Sequence, residues 1–481
     1  MFHPPTNALD VLFIRVPPWL SVEHPHPENC DWPIDLGIAM ALVERDGHRV
    51  HFCDLETRRQ TIDDACRLIR ELRAGVVVIN GITPSHSAML HLAGVARHSC
   101  PRTLVMACGQ HATSVPESFL FNGSPFDLCA IGEFEVTVRE VVFAAARGSD
   151  PGIDGTAVWE GHSVRVAAER PLTKDLDSLP FPLHRFFADE TYGYYYPMAV
   201  RRRHRWGFIS ATRGCPYPCI YCSRTLRTSF GSEIRTRSPE NVVNEIRLLV
   251  SAGVNVLVFE DDTINIDRDY LQRLCRCIIE SGVSITWAAE GRVDLADEKT
   301  LRLMKQAGCC TIGFGVESGS PRMLELLDKR STVGDAETAF AAARRVGLMT
   351  VAFFLIGCPG ETEEDLEMTV ALMKRIRPTM IQVAFFTPYP GSPCYREMRE
   401  RLPARWDDYS HYNRISNLSK LSDERLRGYQ ARLYRELLFS PWFIPEYLAR
   451  CNIGLLTNFG REWRLVRFGL KFLLHGPRPV P

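Results

Sequence analysis

Three cysteines stand close together in Arg213-Gly214-Cys215-Pro216-Tyr217-Pro218-Cys219-Ile220-Tyr221-Cys222, with the spacing C-x-x-x-C-x-x-C. Thiolates this close suit an iron–sulfur cluster or a zinc ion. Three ligands leave one metal position open, which suits reactivity better than a structural site. A four-cysteine zinc site needs a further ligand nearby, and the next cysteine is Cys275. The remaining alternative is three thiols buried as small apolar groups.

Other polar residues gather in short motifs. They are Phe259-Glu260-Asp261-Asp262, Glu290-Gly291-Arg292-Val293-Asp294, Gly313-Phe314-Gly315-Val316-Glu317-Ser318-Gly319-Ser320, Gly357-Cys358-Pro359-Gly360-Glu361-Thr362 and Thr387-Pro388-Tyr389-Pro390-Gly391-Ser392-Pro393. Each acid alone is as readily a helix cap or a solvated charge. Each motif, however, follows a run that reads as a strand, and ligand sites collect at strand C-termini.

The elements that must position these motifs follow from periodicity. Strands are expected at 206–211, 255–259, 284–288, 310–316, 350–356 and 380–386, with helices at 239–252, 270–281, 298–307, 321–327, 335–346 and 363–375. Ser238 supplies an N-cap and Pro239 a first helical residue. Six strands are too few for a closed eight-stranded barrel and enough for an open one. Upstream, strands at 10–16, 50–53, 75–80, 103–108 and 128–131 alternate with helices at 34–45, 61–72, 87–97 and 135–146. Such alternation requires crossover connections and a parallel sheet. The expected class is α/β. It comprises a sheet domain over 1–150, a connector over 151–200, a partial (βα)6 barrel over 201–395 and a helical C-terminal region over 396–481. The connector is rich in Pro, Gly and aromatic residues, as in Tyr192-Gly193-Tyr194-Tyr195-Tyr196, so it is expected to pack on a neighbour.

Composition excludes several classes. The chain is 45% hydrophobic and 24% charged, with 57 basic and 57 acidic side chains. That balance gives no global basic field for nucleic acid. The run Arg201-Arg202-Arg203-His204-Arg205 is a local exception, read as a solvated basic stretch. No run of about 20 apolar residues predicts a membrane span, and residues 1–10 lack the pattern of a signal peptide. A cytoplasmic location is expected. Sixteen cysteines without an export signal point to metal binding or buried thiols rather than disulfides.

The cysteine spacing, Tyr221 before the third cysteine and the position after the first barrel strand resemble the radical S-adenosylmethionine superfamily. The resemblance covers residues 200–395. It implies that Cys215, Cys219 and Cys222 hold a 4Fe–4S cluster whose open iron is chelated by S-adenosylmethionine. Reductive cleavage of that cofactor then yields a 5′-deoxyadenosyl radical. It also implies S-adenosylmethionine contacts from Tyr221, Glu260, Asp261, Arg292, Glu317, Ser318 and Gly357, and an electron donor of the ferredoxin or flavodoxin type. Cys358 and Cys394 would face the reaction, as hydrogen donors or substrate contacts.

The first domain looks like the Rossmann-like cobalamin-binding half of one large class of these enzymes. Cys108-Gly109-Gln110-His111-Ala112-Thr113 and Ile131-Gly132-Glu133-Phe134-Glu135 carry this resemblance. It implies cobalamin contacts from Thr83, Ser85, Gly109, Gln110, His111, Gly132 and Glu133. No D-x-H-x-x-G motif is present to ligate cobalt, which leaves His111 and His86 as candidates.

The resemblance implies radical methylation of an unactivated carbon, with cyclisation, ring contraction or another rearrangement as the alternative. Methylthiotransferases share the layout but hold a second cluster on three N-terminal cysteines. Here Cys30, Cys53, Cys66, Cys100, Cys108 and Cys129 occur, several within apolar strands. The tail mixes Phe439, Trp442, Phe443, Ile444, Tyr447, Trp463, Phe468, Leu470 and Phe472 with Arg450, Arg461, Arg464, Arg467 and Lys471. This fits either packing on the barrel, or a membrane surface or hydrophobic small-molecule substrate.

Overall fold

β-branched and aliphatic runs separated by amphipathic stretches produce two mostly parallel sheets, seen in a computed structural model. It describes residues 8–18, 30–57, 60–149, 153–187, 192–198, 203–222, 229–409, 417–443 and 445. The first sheet contains β1 (Asp10–Val16), β2 (Arg49–Asp54), β3 (Val76–Gly81), β4 (Leu104–Cys108), β5 (Leu128–Ala130), β6 (Thr156–Glu160) and β7 (Ser163–Val166). Their order is β2-β1-β3-β4-β5-β6-β7. The first five strands pair in parallel, and β6 and β7 continue the sheet antiparallel.

Helices α1 (Ile34–Arg45), α2 (Ile62–Leu72), α3 (His86–Ser99), α4 (Gln110–Ser114) and α5 (Phe134–Ala146) make the crossovers. Val11 and Phe13 face the core shared with α1 and α5, while Leu12, Ile14 and Val16 face the core shared with α2 and α3. This period of two buries both faces of β1, each such side chain contributing about 1.5–3 kcal/mol. The chain reverses direction across the sheet between β1 and β3, which opens a crevice at their C-terminal ends.

The hairpin of β6 and β7 lies where the sequence reads only as connector. Ser163–Val166 is largely exposed, so it lacks the apolar alternation that marks a half-buried strand. The following segment is wedged between the two sheets. The Tyr192 hydroxyl donates to Asp54 Oδ2 at 2.6 Å, Tyr196 to Glu290 Oε1 at 2.5 Å and Tyr195 to Gln382 Oε1 at 2.6 Å.

The second sheet holds β8 (Trp206–Ile209), β11 (Val256–Phe259), β12 (Thr286–Arg292), β13 (Cys309–Glu317), β14 (Met349–Ile356) and β15 (Met380–Phe385). All pair in parallel in the order β15-β14-β13-β12-β11-β8, the open barrel that was expected. The short β9 (Thr212–Arg213) and β10 (Arg235–Thr236) pair antiparallel at the base of the cysteine loop. Helices α6 (Pro239–Ser251), α7 (Arg268–Glu280), α8 (Glu298–Gln306), α9 (Pro321–Leu326), α10 (Val333–Val346) and α11 (Glu363–Ile376) follow the strands. Ser238 caps α6 through the Asn241 N–H, with Pro239 at its first position.

Beyond the barrel lie α12 (Pro393–Met398) and α13 (Asp423–Leu438). α13 covers the β15 edge, where Gln430 Nε2 donates to the Val383 carbonyl and the Tyr434 hydroxyl accepts from the Val383 N–H. In the tail, Arg377 stacks over Trp442 and Phe443 packs partly on the core, while Phe439 is 75% exposed. The other tail residues named above, with Arg201 and Arg202, lie outside the described residues. Among the described residues no helix is long and apolar enough to cross a membrane, and no cysteine forms a disulfide.

Candidate active site

The cysteine loop leaves β9 at Gly214, whose φ is 99°. A Cβ there would stand 2.2 Å from the Glu233 carbonyl oxygen, so only glycine lets the two limbs of the loop cross. The Ile220 N–H donates to the Leu327 carbonyl at 3.1 Å and the Cys222 N–H to the Cys219 carbonyl at 3.3 Å. Cys219 is buried, while Cys215 and Cys222 are half-buried. Burial raises the Cys215 thiol and pushes Cys222 up to about 12, with Asp262 and the neighbouring thiols adding to the effect. Thiols so placed need a local positive charge to ionise, which cluster iron supplies. Among the described residues no three His, Cys, Asp or Glu side chains already stand in ligand geometry around one point. The donor chemistry, the spacing and the place after the first barrel strand are what fit the cluster.

Of the acids after β11, Asp261 turns back into the fold. It accepts from the Ala211 N–H at 3.1 Å, the Thr212 N–H at 2.5 Å and the Thr212 hydroxyl at 2.6 Å. It therefore positions the entry to the cysteine loop, and its oxygens are already engaged there. Its neighbours behave differently. Glu260 Oε1 and Asp262 Oδ2 are buried without a hydrogen-bond partner. Burial, then the nearby acids Asp31 and Glu290, raise Glu260 well above the usual carboxyl range. Burial, reinforced by Asp261, pushes Asp262 up to about 7. These carboxyls fit a cationic ligand group such as the methionine ammonium.

Arg292 is 5% exposed and already engaged. Its Nε donates to Asp294 Oδ1 at 2.9 Å and Nη2 to the Lys329 carbonyl at 2.6 Å, and its guanidinium lies 3.4 Å from the Tyr217 ring centre. That ring ties Arg292 to the cysteine loop. Glu317 sits at φ 65°, unusual for a residue with a Cβ. Its Oε1 receives Lys329 Nζ at 2.7 Å and the Tyr221 hydroxyl at 2.9 Å. Ser318 points elsewhere: its hydroxyl meets Thr369 Oγ1 at 3.2 Å and accepts from the Ser320 N–H, so it shapes the turn against α11. Gly357, at φ 79°, donates its N–H to Glu361 Oε2 at 2.6 Å.

Cys358 and Cys394 are fully enclosed with Met323, Leu327 and Phe386, beneath Ile220 and Tyr221 of the cysteine loop. Burial raises both thiols. Their surroundings are those of packing residues that support the loop.

On the cobalamin side the structure gives several expected contacts other partners. The Ser85 hydroxyl donates to the Val16 carbonyl at 2.9 Å. His111 is fully buried, with Nδ1 3.3 Å from the Thr83 hydroxyl and Nε2 3.0 Å from the Ser118 hydroxyl. Burial, then His86, pushes it down to about 3, and neither ring nitrogen is free for cobalt. His86 Nε2 lies 3.1 Å from the Ser118 carbonyl. Trp406, from beyond the barrel, stacks edgewise on His111 at 4.9 Å, and Asp407 beside it accepts from the Ser87 N–H at 3.1 Å. Gly109, at φ 97°, allows the close crossing of Asn80 and Gly81, with Gln110 opening α4. Gly132 donates its N–H to Thr113 Oγ1 at 3.2 Å. Glu133 meets Arg235 at 2.5 Å and the Thr173 N–H at 3.0 Å.

Sequence reasoning missed Lys329, Glu290, Tyr217 and Arg213. Each acts on residues far away in the chain, so no local spacing marks it.

Residues 209–373 match the Radical SAM superfamily and residues 31–142 the B12 binding domain. The chain is 30% identical to an uncharacterized methyltransferase of Pyrococcus horikoshii, over 86% of this chain and 89% of that protein. It is 27% identical to the anaerobic magnesium-protoporphyrin IX monomethyl ester cyclase of Cereibacter sphaeroides, over 85% of this chain and 68% of the cyclase. Its fold is similar to that of OxsB, a cobalamin-dependent S-adenosylmethionine radical enzyme, with TM-score 0.71 and 13% identity over 99% of this chain and 74% of that one. The chain belongs to the radical SAM superfamily, in the branch that carries a B12 binding domain. It is a cobalamin-dependent radical S-adenosylmethionine enzyme, and its cofactors are a 4Fe–4S cluster, S-adenosylmethionine and cobalamin.

Proposed function

We propose that the enzyme methylates an unactivated carbon of a small-molecule substrate. The observation that carries this reading is the 30% identity, across nearly the whole chain, to a protein named as a methyltransferase. When bound, the cluster and S-adenosylmethionine supply the radical that abstracts hydrogen, and cobalamin carries the methyl group. The chain's own residues bind, orient and exclude water. Glu260 and Asp262 offer unpartnered oxygens to the methionine ammonium. The Glu317–Lys329 pair holds the Tyr221 hydroxyl between the second and third cysteines. Tyr194 and Tyr196 direct their hydroxyls to Glu290 and close the barrel interior to water.

The cyclase relative supports a second reading, a cyclisation or rearrangement without methyl transfer. A methylthiotransferase is disfavoured. Cys30, Cys53, Cys66, Cys108 and Cys129 are buried among the apolar side chains of the first sheet, the setting of inert packing thiols, and burial raises each of them. The cluster needs a one-electron donor, for which a ferredoxin or flavodoxin has the right chemistry. We read the aromatic and basic tail first as packing on the barrel, as Phe443 does, with a hydrophobic substrate or a peripheral membrane contact of a cytoplasmic protein as the alternative. Liposome flotation with and without the segment from Phe439 onward tests that point.

The function itself is tested by incubating reconstituted, cobalamin-loaded protein with excess reductant and S-adenosylmethionine. Methyl transfer predicts about one S-adenosylhomocysteine per bound cobalamin before any substrate is added. Formation of 5′-deoxyadenosine with no S-adenosylhomocysteine would instead establish the rearrangement reading.

A further inference from the structure

The loop that carries the three cysteines is tied at both ends to one acidic edge of the first sheet. At its entry, Arg213 Nη2 lies 2.5 Å from Glu135 Oε1 and 3.1 Å from Asp35 Oδ1, and Nη1 lies 3.5 Å from Glu133 Oε1. At its exit, Arg235 Nη2 lies 2.5 Å from the same Glu133 oxygen. Arg213, Arg235, Glu133 and Glu135 are each 7% exposed or less. The two arginines are themselves register partners in β9 and β10.

The acidic edge continues into the loops assigned to cobalamin. Glu133 follows Gly132, whose N–H reaches Thr113 Oγ1, and that hydroxyl donates to the Gly109 carbonyl at 2.9 Å. Hydrogen bonds thus link the Gly109 turn through Thr113 to Gly132, the chain continues from there into Glu133 and Glu135, and ion pairs join these acids to Arg213, two residues before Cys215. Packed, hydrogen-bonded elements of this kind carry coupling between sites when their arrangement differs between liganded states.

We propose that Arg213 and Glu135 are positioning residues through which cobalamin occupancy sets the geometry of the cysteine loop, and so the affinity of the cluster site for S-adenosylmethionine. The proposal requires both cofactors, but it holds equally for methyl transfer and for rearrangement, so its failure is distinct from failure of the methylation reading.

The test uses the full chain, cluster-reconstituted, with and without hydroxocobalamin. The dissociation constant of S-adenosylmethionine is measured from the change it causes in the electron paramagnetic resonance spectrum of the reduced cluster. Wild type is expected to bind S-adenosylmethionine about 5-fold more tightly when cobalamin is present, and cobalamin about 5-fold more tightly when S-adenosylmethionine is present, because coupling is reciprocal. In Glu135→Gln, which keeps shape but removes charge, both ratios are expected to fall to about 1. In Arg213→Lys, which keeps charge but loses the fork, the ratios are expected to fall between these values. Two results overturn the proposal. One is equal S-adenosylmethionine affinity in wild type with and without cobalamin. The other is undiminished coupling in a variant that retains iron and cobalamin. If both variants lose iron while binding cobalamin normally, the pair is only scaffolding and the proposal fails.

Discussion

Glu317 and Lys329 form a buried ion pair at 2.7 Å, and both contact the hydroxyl of Tyr221, which lies between Cys219 and Cys222. The lysine is 5% exposed and the glutamate 7%. Removing one member of a buried pair strands the other, at a cost of about 3–5 kcal/mol. Lys329→Met is therefore expected to destabilise strongly, and Lys329→Met with Glu317→Gln to recover part of the loss. Urea denaturation of both variants checks the order. Equal stability would mean that solvent already screens the pair.

Asp261 supports the cysteine loop from below. Asp261→Ala leaves two backbone N–H groups and one hydroxyl without acceptor, each worth about 1–3 kcal/mol when buried. Reduced iron per chain after reconstitution is expected, with Asp261→Asn intermediate because its amide oxygen still accepts. Full iron loading in the alanine variant would show that the loop holds its shape without it.

His111 makes stability depend on acid. Its pKa in the fold is pushed down to about 3 by burial and His86, against about 6.5 in an unfolded chain. The folded state therefore holds it neutral, and this contribution is lost as pH falls from about 6.5 toward 3, where the unfolded chain binds the extra proton. The melting temperature should drop between pH 7.5 and 5, and His111→Gln should flatten that drop. Parallel curves for the two proteins would assign the acid sensitivity to other groups.

Cys358 and Cys394 pack under the cysteine loop in the same small apolar group. Replacing either with Ala is expected to lower stability by about 1 kcal/mol and leave 5′-deoxyadenosine formation within about twofold. A large loss of product with an unchanged melting temperature would restore the hydrogen-donor role that the sequence suggested.

The sheets were legible because strands such as Val76–Gly81 and Val256–Phe259 are continuous buried runs, and Gly and Pro mark their ends. The β6–β7 hairpin was not, since exposure erases its pattern. The cysteine triplet stood out by its spacing, and the resemblance assigned it a cluster. The residues that support it were not legible. A carboxylate at a strand end can face the barrel mouth or the backbone behind it, and only the fold shows that Glu260 Oε1 and Asp262 Oδ2 have no hydrogen-bond partner while Asp261 is taken. Likewise His111 looked available in its loop, and the fold closes Thr83, Ser118 and Trp406 around it.

The central claim is that Cys215, Cys219 and Cys222 hold the cluster that cleaves S-adenosylmethionine. It is tested most directly by quantifying 5′-deoxyadenosine after anaerobic incubation of the reconstituted protein with S-adenosylmethionine and a strong reductant, beside Cys222→Ala treated identically. Wild type should form it, and the variant should lose both the product and the reduced-cluster resonance. Equal product from the two proteins, or none from wild type carrying a full cluster, would contradict the claim.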